Sequence, residues 1–415
     1  MNTKQNPYEQ ECMNTLNRLW QENRHLKSMA FFLDTVFHWS ENLTVQDNPD
    51  VVILGSDVPE ELVIAAGAMP YWLLGGSFAS VAWSDDLVPR DADPVSRSIL
   101  GYIHQPDGTD FTESLFIIPL TGDNMRKIAY ELKAEGKKVF LLDAPPEKSG
   151  YRALEKRLRQ NCSMMEAVSE HMGTKVTAKD VKEASRLVGL ARRALASFTD
   201  LAGNIPDIIT PAAVRLVQNS YYCTDSLEYW TMQIVLLSRE IKSRAKGTGF
   251  QQHRPGVLLM GSPIFYPNLK IPFLLQDVGL DIIETIDSSS LKFRQKAEKK
   301  RFFCSRNRMI RNISEEQYQK SGSSFFVENT ALRRYVRELL STSAIDGVVY
   351  HILKGQIEQD FELSFFEELF AAHNIPVFRL ETDYSYQDIE QLRIRTEAFA
   401  EMLSESRKKE MRIAL

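Results

Sequence analysis

A chain of 415 residues exceeds one ordinary domain, so two or three are expected. Its 43% hydrophobic and 25% charged residues are globular values, and a formal net charge of −5 argues against a nucleic-acid binder. No apolar run approaches the ~20 residues of a membrane span, so no membrane partner is expected.

The four cysteines, Cys12, Cys162, Cys223 and Cys304, stand far apart with no CxxC pair. That spacing excludes a local zinc knuckle and does not suggest a disulfide framework. The start MNTKQNPYEQE is polar and acidic, without the pattern of a signal peptide, and a cytoplasmic protein is expected.

Residues Tyr8–Leu43 carry apolar groups at helical spacing, which predicts an amphipathic pair of N-terminal helices. Val51-Val52-Ile53-Leu54 is a β-branched run too short for a helix and closed by Gly55, the pattern of a buried parallel strand. Ser56 or Asp57 then caps a helix whose first turn holds Pro59, Glu60 and Glu61, and Tyr71–Leu74 starts a second strand. Ser77–Phe111 reads as a long irregular section containing VPRDADPVSRSILGY, and loops of that length are usually functional. A second β-α-β unit follows: Leu115–Leu120, a Thr121-Gly122-Asp123 turn, a helix Met125–Ala134 and a strand Lys138–Leu142.

From about Lys148 to Lys246 the strand signal vanishes and Ala-rich periodic runs predict several helices, ending at a Gly247-Thr248-Gly249 linker. From Gly256 the first pattern repeats. GVLLMGSP parallels VVILGSDVP, pairing Gly55-Ser56 with Gly261-Ser262; GVVYHILKGQ parallels IIPLTGD, pairing Gly122 with Gly355. Helices at Ile271–Asp277 and Phe361–His373 and a final strand IPVFRLETD complete the second half, and Ile389–Leu415 is a terminal helix. The expected fold is therefore α/β: two parallel-sheet lobes of the Rossmann/flavodoxin-like kind facing a cleft, joined by a helical domain, with helices at both termini. The divisions fall at 1–147, 148–250, 251–388 and 389–415.

The segments VPEELVIAAGAMPYWLLGG, VPRDADPVSRSILGY, LTGDNMRK, VLLMGSP, DGVVYHILKGQIEQDFE and IPVFRLETDYSYQDIEQLRIRTEAF resemble the 2-hydroxyacyl-CoA dehydratase and benzoyl-CoA reductase family, the D-component family, over Val51–Leu403. The resemblance implies paired homologous subunits whose cysteines hold an iron–sulfur cluster. That cluster is charged with an electron by a separate ATP-dependent activator protein, for radical dehydration of a 2-hydroxyacyl-CoA or reduction of an aromatic ring. This chain departs from the pattern at each cysteine. The first falls at Asp93, the second at Gly122, the third at Gly355 or Gln356, and a fourth near Ser288 or Ser289. Asp93 has a carboxylate able to ligate iron, whereas Gly122 and Gly355 have no side chain. No cofactor is expected in this chain, and a [4Fe–4S] cluster is expected in a partner subunit.

Candidate site residues follow. Ser56 and Glu61 are expected as catalytic groups facing the thioester and Glu60 as a substrate contact, with helix capping and dipole complementation as the plainer roles. Arg90 and Arg97 are candidates to clamp a phosphate or carboxylate, or else belong to a salt-bridged lid. His351 and Lys354 end a buried strand as candidate ligand contacts, His351 equally as a core histidine. The basic stretch Lys292–Arg311 either holds CoA phosphates or forms a solvated helix face. The strand ends bearing Ser56, Asp93, Gly122, Ser262 and Gly355 are expected to converge on one open polar cavity, the glycines leaving room in it.

No Ser-His-Asp order, P-loop, HExxH or GxGxxG appears. The expected function is that of a cluster-free dehydratase subunit paired with a cluster-bearing homologue and sharing an acyl-CoA ligand. The alternatives are a stand-alone binding or regulatory protein for an acyl or carboxylate ligand, and a dehydratase with an unusual cluster.

Overall fold

A computed structural model describes residues 6–43, 48–106, 108–246, 254–294 and 305–414. The Gly247–Gly249 linker, Cys304 and the middle of the basic stretch lie outside the described residues.

Two four-stranded parallel sheets form the frame. The first holds β1 (Val51–Leu54), β2 (Tyr71–Leu73), β3 (Leu115–Pro119) and β4 (Lys138–Leu142) in the order β2-β1-β3-β4. The second holds β5 (Gly256–Gly261), β6 (Asp281–Asp287), β7 (Gly347–Leu353) and β8 (Val377–Thr382) in the order β6-β5-β7-β8, the same topology. The paired motifs are therefore structural equivalents. β1, β3 and β7 are buried along their whole length and, His351 of β7 aside, dominated by apolar side chains, as strands covered on both faces must be. The edge strands β4 and β8 carry the exposed positions.

Fifteen helices complete the described chain. The pair α1 (Pro7–Asn23) and α2 (Met29–Asn42) precedes β1. In the first lobe α3 (Glu60–Ala65) follows β1, α4 (Phe78–Val81) and α5 (Pro94–Ile103) separate β2 from β3, and α6 (Asp123–Ala134) crosses to β4. Between β4 and β5 the described residues hold only helices: α7 (Tyr151–His171), α8 (Ala178–Gly203), α9 (Pro211–Ser220) and α10 (Leu227–Ala245). The second lobe adds α11 (Lys270–Asp277), α12 (Arg306–Lys320), α13 (Thr330–Thr342) and α14 (Ile357–Ala372), and α15 (Ile389–Ala414) ends the chain.

Two local expectations are corrected. The segment 77–111 is not irregular, since α5 fills ten residues of it. Its start is a strong signal that the sequence reading passed over: Asp93 is the N-cap, accepting from Val95 N and Ser96 N, and Pro94 takes the first helical position. Neither Ser56 nor Asp57 caps α3, whose N-cap is Pro59 with no side-chain hydrogen bond.

The lobes meet directly. Asn268 N donates to Gly76 O at 3.0 Å, and a Cβ on Gly76 (φ +106°) would lie 2.5 Å from Tyr266 O, so only glycine permits this approach. On α1, Glu11 accepts from Ser77 Oγ (2.6 Å), Phe78 N (3.0 Å) and Ala79 N (3.1 Å), while Thr15 Oγ1 donates to Pro267 O at 3.0 Å. One helix thus ties both lobes. A continuous apolar core runs from α1 and α2 through the first sheet and the helical region to β5 and β7. A second cluster, including Leu258, Tyr350 and Phe366, lies on the other face of the second sheet.

Candidate functional site

In the strand order shared by both sheets, the order in which strands are added switches sides between β1 and β3 and between β5 and β7, and ligand crevices open at such points beyond the carboxyl ends. A cavity of about 340 Å³ lies there between the lobes. Gly55 and Ser56 enter it after β1, Thr121 and Gly122 after β3, Pro263 after β5, Ser288 after β6 and Gly355 after β7. All four positions where the resemblance placed cluster ligands, Asp93, Gly122, Ser288 and Gly355, line this one cavity. Ser262 does not. It is buried, and its hydroxyl accepts from Leu353 N at 2.9 Å, so it locks β5 to β7 instead.

Asp93 is 4% exposed and its oxygens are fully engaged. Oδ1 takes Val95 N and Ser96 N at 3.1 Å each and Gln356 Nε2 at 3.3 Å; Oδ2 takes Asn124 Nδ2 at 2.5 Å. Asn124 follows Gly122 by two residues and Gln356 follows Gly355, so an Asp–Asn–Gln clasp joins the three positions across the lobes. Sequence reading missed Asn124 and named Gln356 only as the alternative to Gly355 for a cluster position. The glycines differ. A Cβ on Gly122, whose backbone is extended (φ 174°), would meet nothing within 4 Å. Gly355 (φ +85°) sits 3.2 Å from Asp91 O and Asp93 N by the same measure, so it fits a close approach of the lobes and not an open space.

The first turns of α5, α6 and α14 face the cavity through Val95 and Ser96, Asp123 to Met125, and Ile357 to Gln359. Burial pushes the Glu358 carboxyl above its ordinary value, and the charge of Asp93 adds to this. Ser288 is held in place from below. Arg215, on α9, pairs with Asp287 at 2.5 Å with both side chains at most 2% exposed. Asp287 Oδ1 also accepts from Ser289 N, Ser289 Oγ and Ser290 N. This buried cluster fixes the turn that presents Ser288 to the cleft.

A smaller chamber of about 30 Å³ shares Ser56, Asp57, Ser288 and Ser321 with the main cavity and adds Glu61, Arg192 and Lys292. Glu60 and Glu61 are 1% and 5% exposed and share Arg192 of α8, at 2.8 Å and 2.9 Å. Tyr221 donates to Glu60 at 2.7 Å, and Lys292 stands 3.5 Å from the same oxygen. Burial works against the Glu60 carboxylate, but Arg192 and Lys292 outweigh it and hold the group below its ordinary value. The acids at the start of α3 thus anchor it to α8, a role in addition to complementing its dipole. Nothing in the GLARRAL run around Arg192 marks it from sequence.

The remaining candidates lie apart from the cavity. Arg90 is exposed. Arg97 pairs with Asp85 and donates to Arg90 O at 3.2 Å, which is the lid arrangement. Lys354 is exposed and pairs with Asp383 at 2.9 Å. His351 is 3% exposed in the core, its Nδ1 3.4 Å from Ser262 O and its Nε2 without a hydrogen-bond partner. The basic stretch is not a uniform solvated face: Lys292 points inward and Arg294 pairs with Glu284 at 2.6 Å and with Asp200.

Burial pushes the His351 pKa down to about 4. Below pH 6.5 the unfolded chain gains a proton that the folded chain refuses until about pH 4, so stability falls across that window as pH is lowered. The loss attributable to this ring is about 3 kcal/mol. Urea unfolding at pH 7 and pH 4.5 is expected to show a shallower acid loss in His351→Gln than in the wild type. Equal losses would remove the histidine from the account.

The described residues contain no helix long and apolar enough to cross a membrane. A sequence model of the 2-hydroxyglutaryl-CoA dehydratase D-component matches residues 56–403. Three curated relatives align over 83% of this chain. The protein named "Putative dehydratase subunit YjiM" of Escherichia coli is 24% identical, with 89% of its length covered. The (R)-phenyllactyl-CoA dehydratase beta subunit of Clostridium sporogenes is 22% identical over 89% of its length, and the (R)-2-hydroxyglutaryl-CoA dehydratase subunit beta of Acidaminococcus fermentans 22% over 90%. With the doubled sheet topology, the cleft at its strand ends and a family match over most of its length, this chain belongs to the 2-hydroxyglutaryl-CoA dehydratase D-component family.

Proposed function

We propose that this chain is a cluster-free subunit of a 2-hydroxyacyl-CoA dehydratase-type complex. In this reading it pairs with a cluster-bearing homologous subunit and takes the acyl end of an acyl-CoA into the cleft between its lobes. One observation carries the reading: Asp93, Gly122, Ser288 and Gly355 line a single cavity, and none is a thiol. The donor set does not fit an iron–sulfur cluster. Such clusters need thiolates, Gly122 and Gly355 offer no atom, and Asp93 already accepts four hydrogen bonds. Cys12 and Cys223 are pushed far above their ordinary pKa by burial, so they are held as neutral thiols away from the cleft.

What supports a ligand role is the cavity itself. Its walls combine apolar Leu74, Ile99, Met125 and Phe265 with serine hydroxyls and the backbone ends of three helices, the mixture that small-molecule sites use. Helix N-termini favour a carbonyl oxygen or carboxylate. Ser56, at the junction of the two chambers, is the hydroxyl placed to donate to the acyl group. Glu61, held by Arg192 at 2.9 Å, orients the chamber.

The test is production without oxygen, alone and together with a cysteine-bearing homologue, followed by iron and sulfide analysis and calorimetry with acyl-CoA. Iron in the partner only, a stable heteromer and acyl-CoA binding are expected. About four irons per copy of this chain, lost on changing its own cysteines, would defeat the cluster-free assignment. Binding of acyl-CoA with no heteromer would favour the stand-alone binding protein.

A further inference from the structure

The small chamber beside the cleft holds an amine in unusual surroundings. Lys292 lies on a short 3₁₀ turn after β6, with its side chain 15% exposed. Its Nζ is ringed by four aromatic faces, at 4.6 Å from the Tyr222 centroid, 4.8 Å from Trp72, 5.2 Å from Phe293 and 5.3 Å from Tyr221. An ammonium has three protons to donate. The hydrogen bond found for this one is to Glu60 Oε1 at 3.5 Å, a long one. The same Glu60 oxygen already takes Tyr221 and lies 2.8 Å from Arg192. Lys292 is thus a buried amine with little hydrogen bonding, at the wall of a chamber continuous in its lining with the ligand cleft.

We propose that Lys292 is an acylation site, its amine accepting the acyl group of a small thioester held in the cleft. The inference rests on the acyl-ligand reading above. The neutral amine attacks the thioester carbonyl carbon. The C–N bond forms, the C–S bond breaks with its electron pair leaving on sulfur, and the nitrogen's proton passes to the departing thiolate. The products are an amide on Lys292 and a free thiol, and no oxidant or further reactant is needed.

Two physical features favour this amine over the exposed lysines. Burial pushes its pKa down to about 8, against the attraction of Glu60, with Arg192 lowering it further and Glu61 opposing. The other charged groups lining the chamber are Asp57, Glu316 and Lys320. Near neutral pH a sizeable share of Lys292 is therefore unprotonated, while an exposed lysine is almost wholly charged. The chamber of about 30 Å³ has room for about two waters, which suits a two-carbon acyl group and crowds longer ones.

The experiment exposes the full chain at pH 7.5 to acetyl-CoA, or to the acetyl thioester of N-acetylcysteamine, and reads each lysine by peptide mass spectrometry. Lys292 is expected to gain acetyl at least tenfold faster than exposed Lys127 and Lys179, with a half-maximal rate near pH 8 and slower transfer of longer acyl groups. In Lys292→Arg that peptide is unmodified and the other sites are unchanged; should that variant not fold, the wild-type rate ratio decides alone. Labelling of Lys292 no faster than of Lys127 overturns the proposal. Selective labelling by the cysteamine thioester but not by acetyl-CoA supports the amine's role and removes coenzyme A from the functional reading.

Discussion

Gly122→Leu is expected to weaken acyl-CoA binding at least 100-fold, about 2.7 kcal/mol, while leaving stability within about 0.5 kcal/mol of the wild type. The argument is geometric. Gly122 lies at the N-cap of α6 in extended backbone that any residue adopts, and a Cβ built there meets nothing within 4 Å. A leucine therefore costs the free protein little and projects into a cavity of about 340 Å³. Calorimetry with acyl-CoA and a thermal melt measure the two halves of the claim. Unchanged affinity would mean that the ligand lies elsewhere. Gly355→Ala is the contrast. Its φ of +85° and the backbone of Asp91 and Asp93 at 3.2 Å oppose a side chain, so its first effect is on the fold, by about 1–3 kcal/mol. The expectation of room at both glycines thus holds for one of them.

Arg215→Met is expected to cost about 3–5 kcal/mol of stability, the usual penalty for breaking a buried ion pair from one side. The guanidinium also donates to Ile264 O at 2.8 Å and to Ser289 Oγ at 3.0 Å, so its loss strips several acceptors at once. Asp287 would keep its bonds from Ser289 and Ser290 but lose its counter-charge in a site 1% exposed. Because those bonds hold the turn bearing Ser288, affinity for a cleft ligand should fall together with stability. The urea midpoint gives the first effect. A shift worth less than about 1 kcal/mol would show that the carboxylate finds water or a proton instead.

The chain's periodicity alone determined the architecture. Runs such as Val51–Leu54, apolar at every position, and Gly347–Leu353, apolar but for His351 and the Tyr350 hydroxyl, are buried throughout only in strands covered on both faces, so two parallel sheets followed. The repeat of Gly-Ser after β1 and β5 was equally legible, because a strand must turn sharply there to feed its crossover helix. The family resemblance rests on contiguous segments and survives comparison over residues 56–403.

What only the tertiary structure decided is which polar groups meet. Asp93, Asn124 and Gln356 are separated by 31 and 263 residues from their partners, and no local pattern reports a hydrogen bond across such distances. Lys292 illustrates the same limit. In sequence it opens a basic stretch that reads as a solvated face, yet in the fold it turns inward among four aromatic rings drawn from β2, the turn after α9 and its own 3₁₀ turn. Charge along a chain predicts exposure only when no distant carboxylate offsets burial, and here Glu60 does so from 232 residues away. Apolar periodicity is a local property that burial must satisfy segment by segment, whereas the pairing of buried polar groups is settled only when the two lobes close on each other.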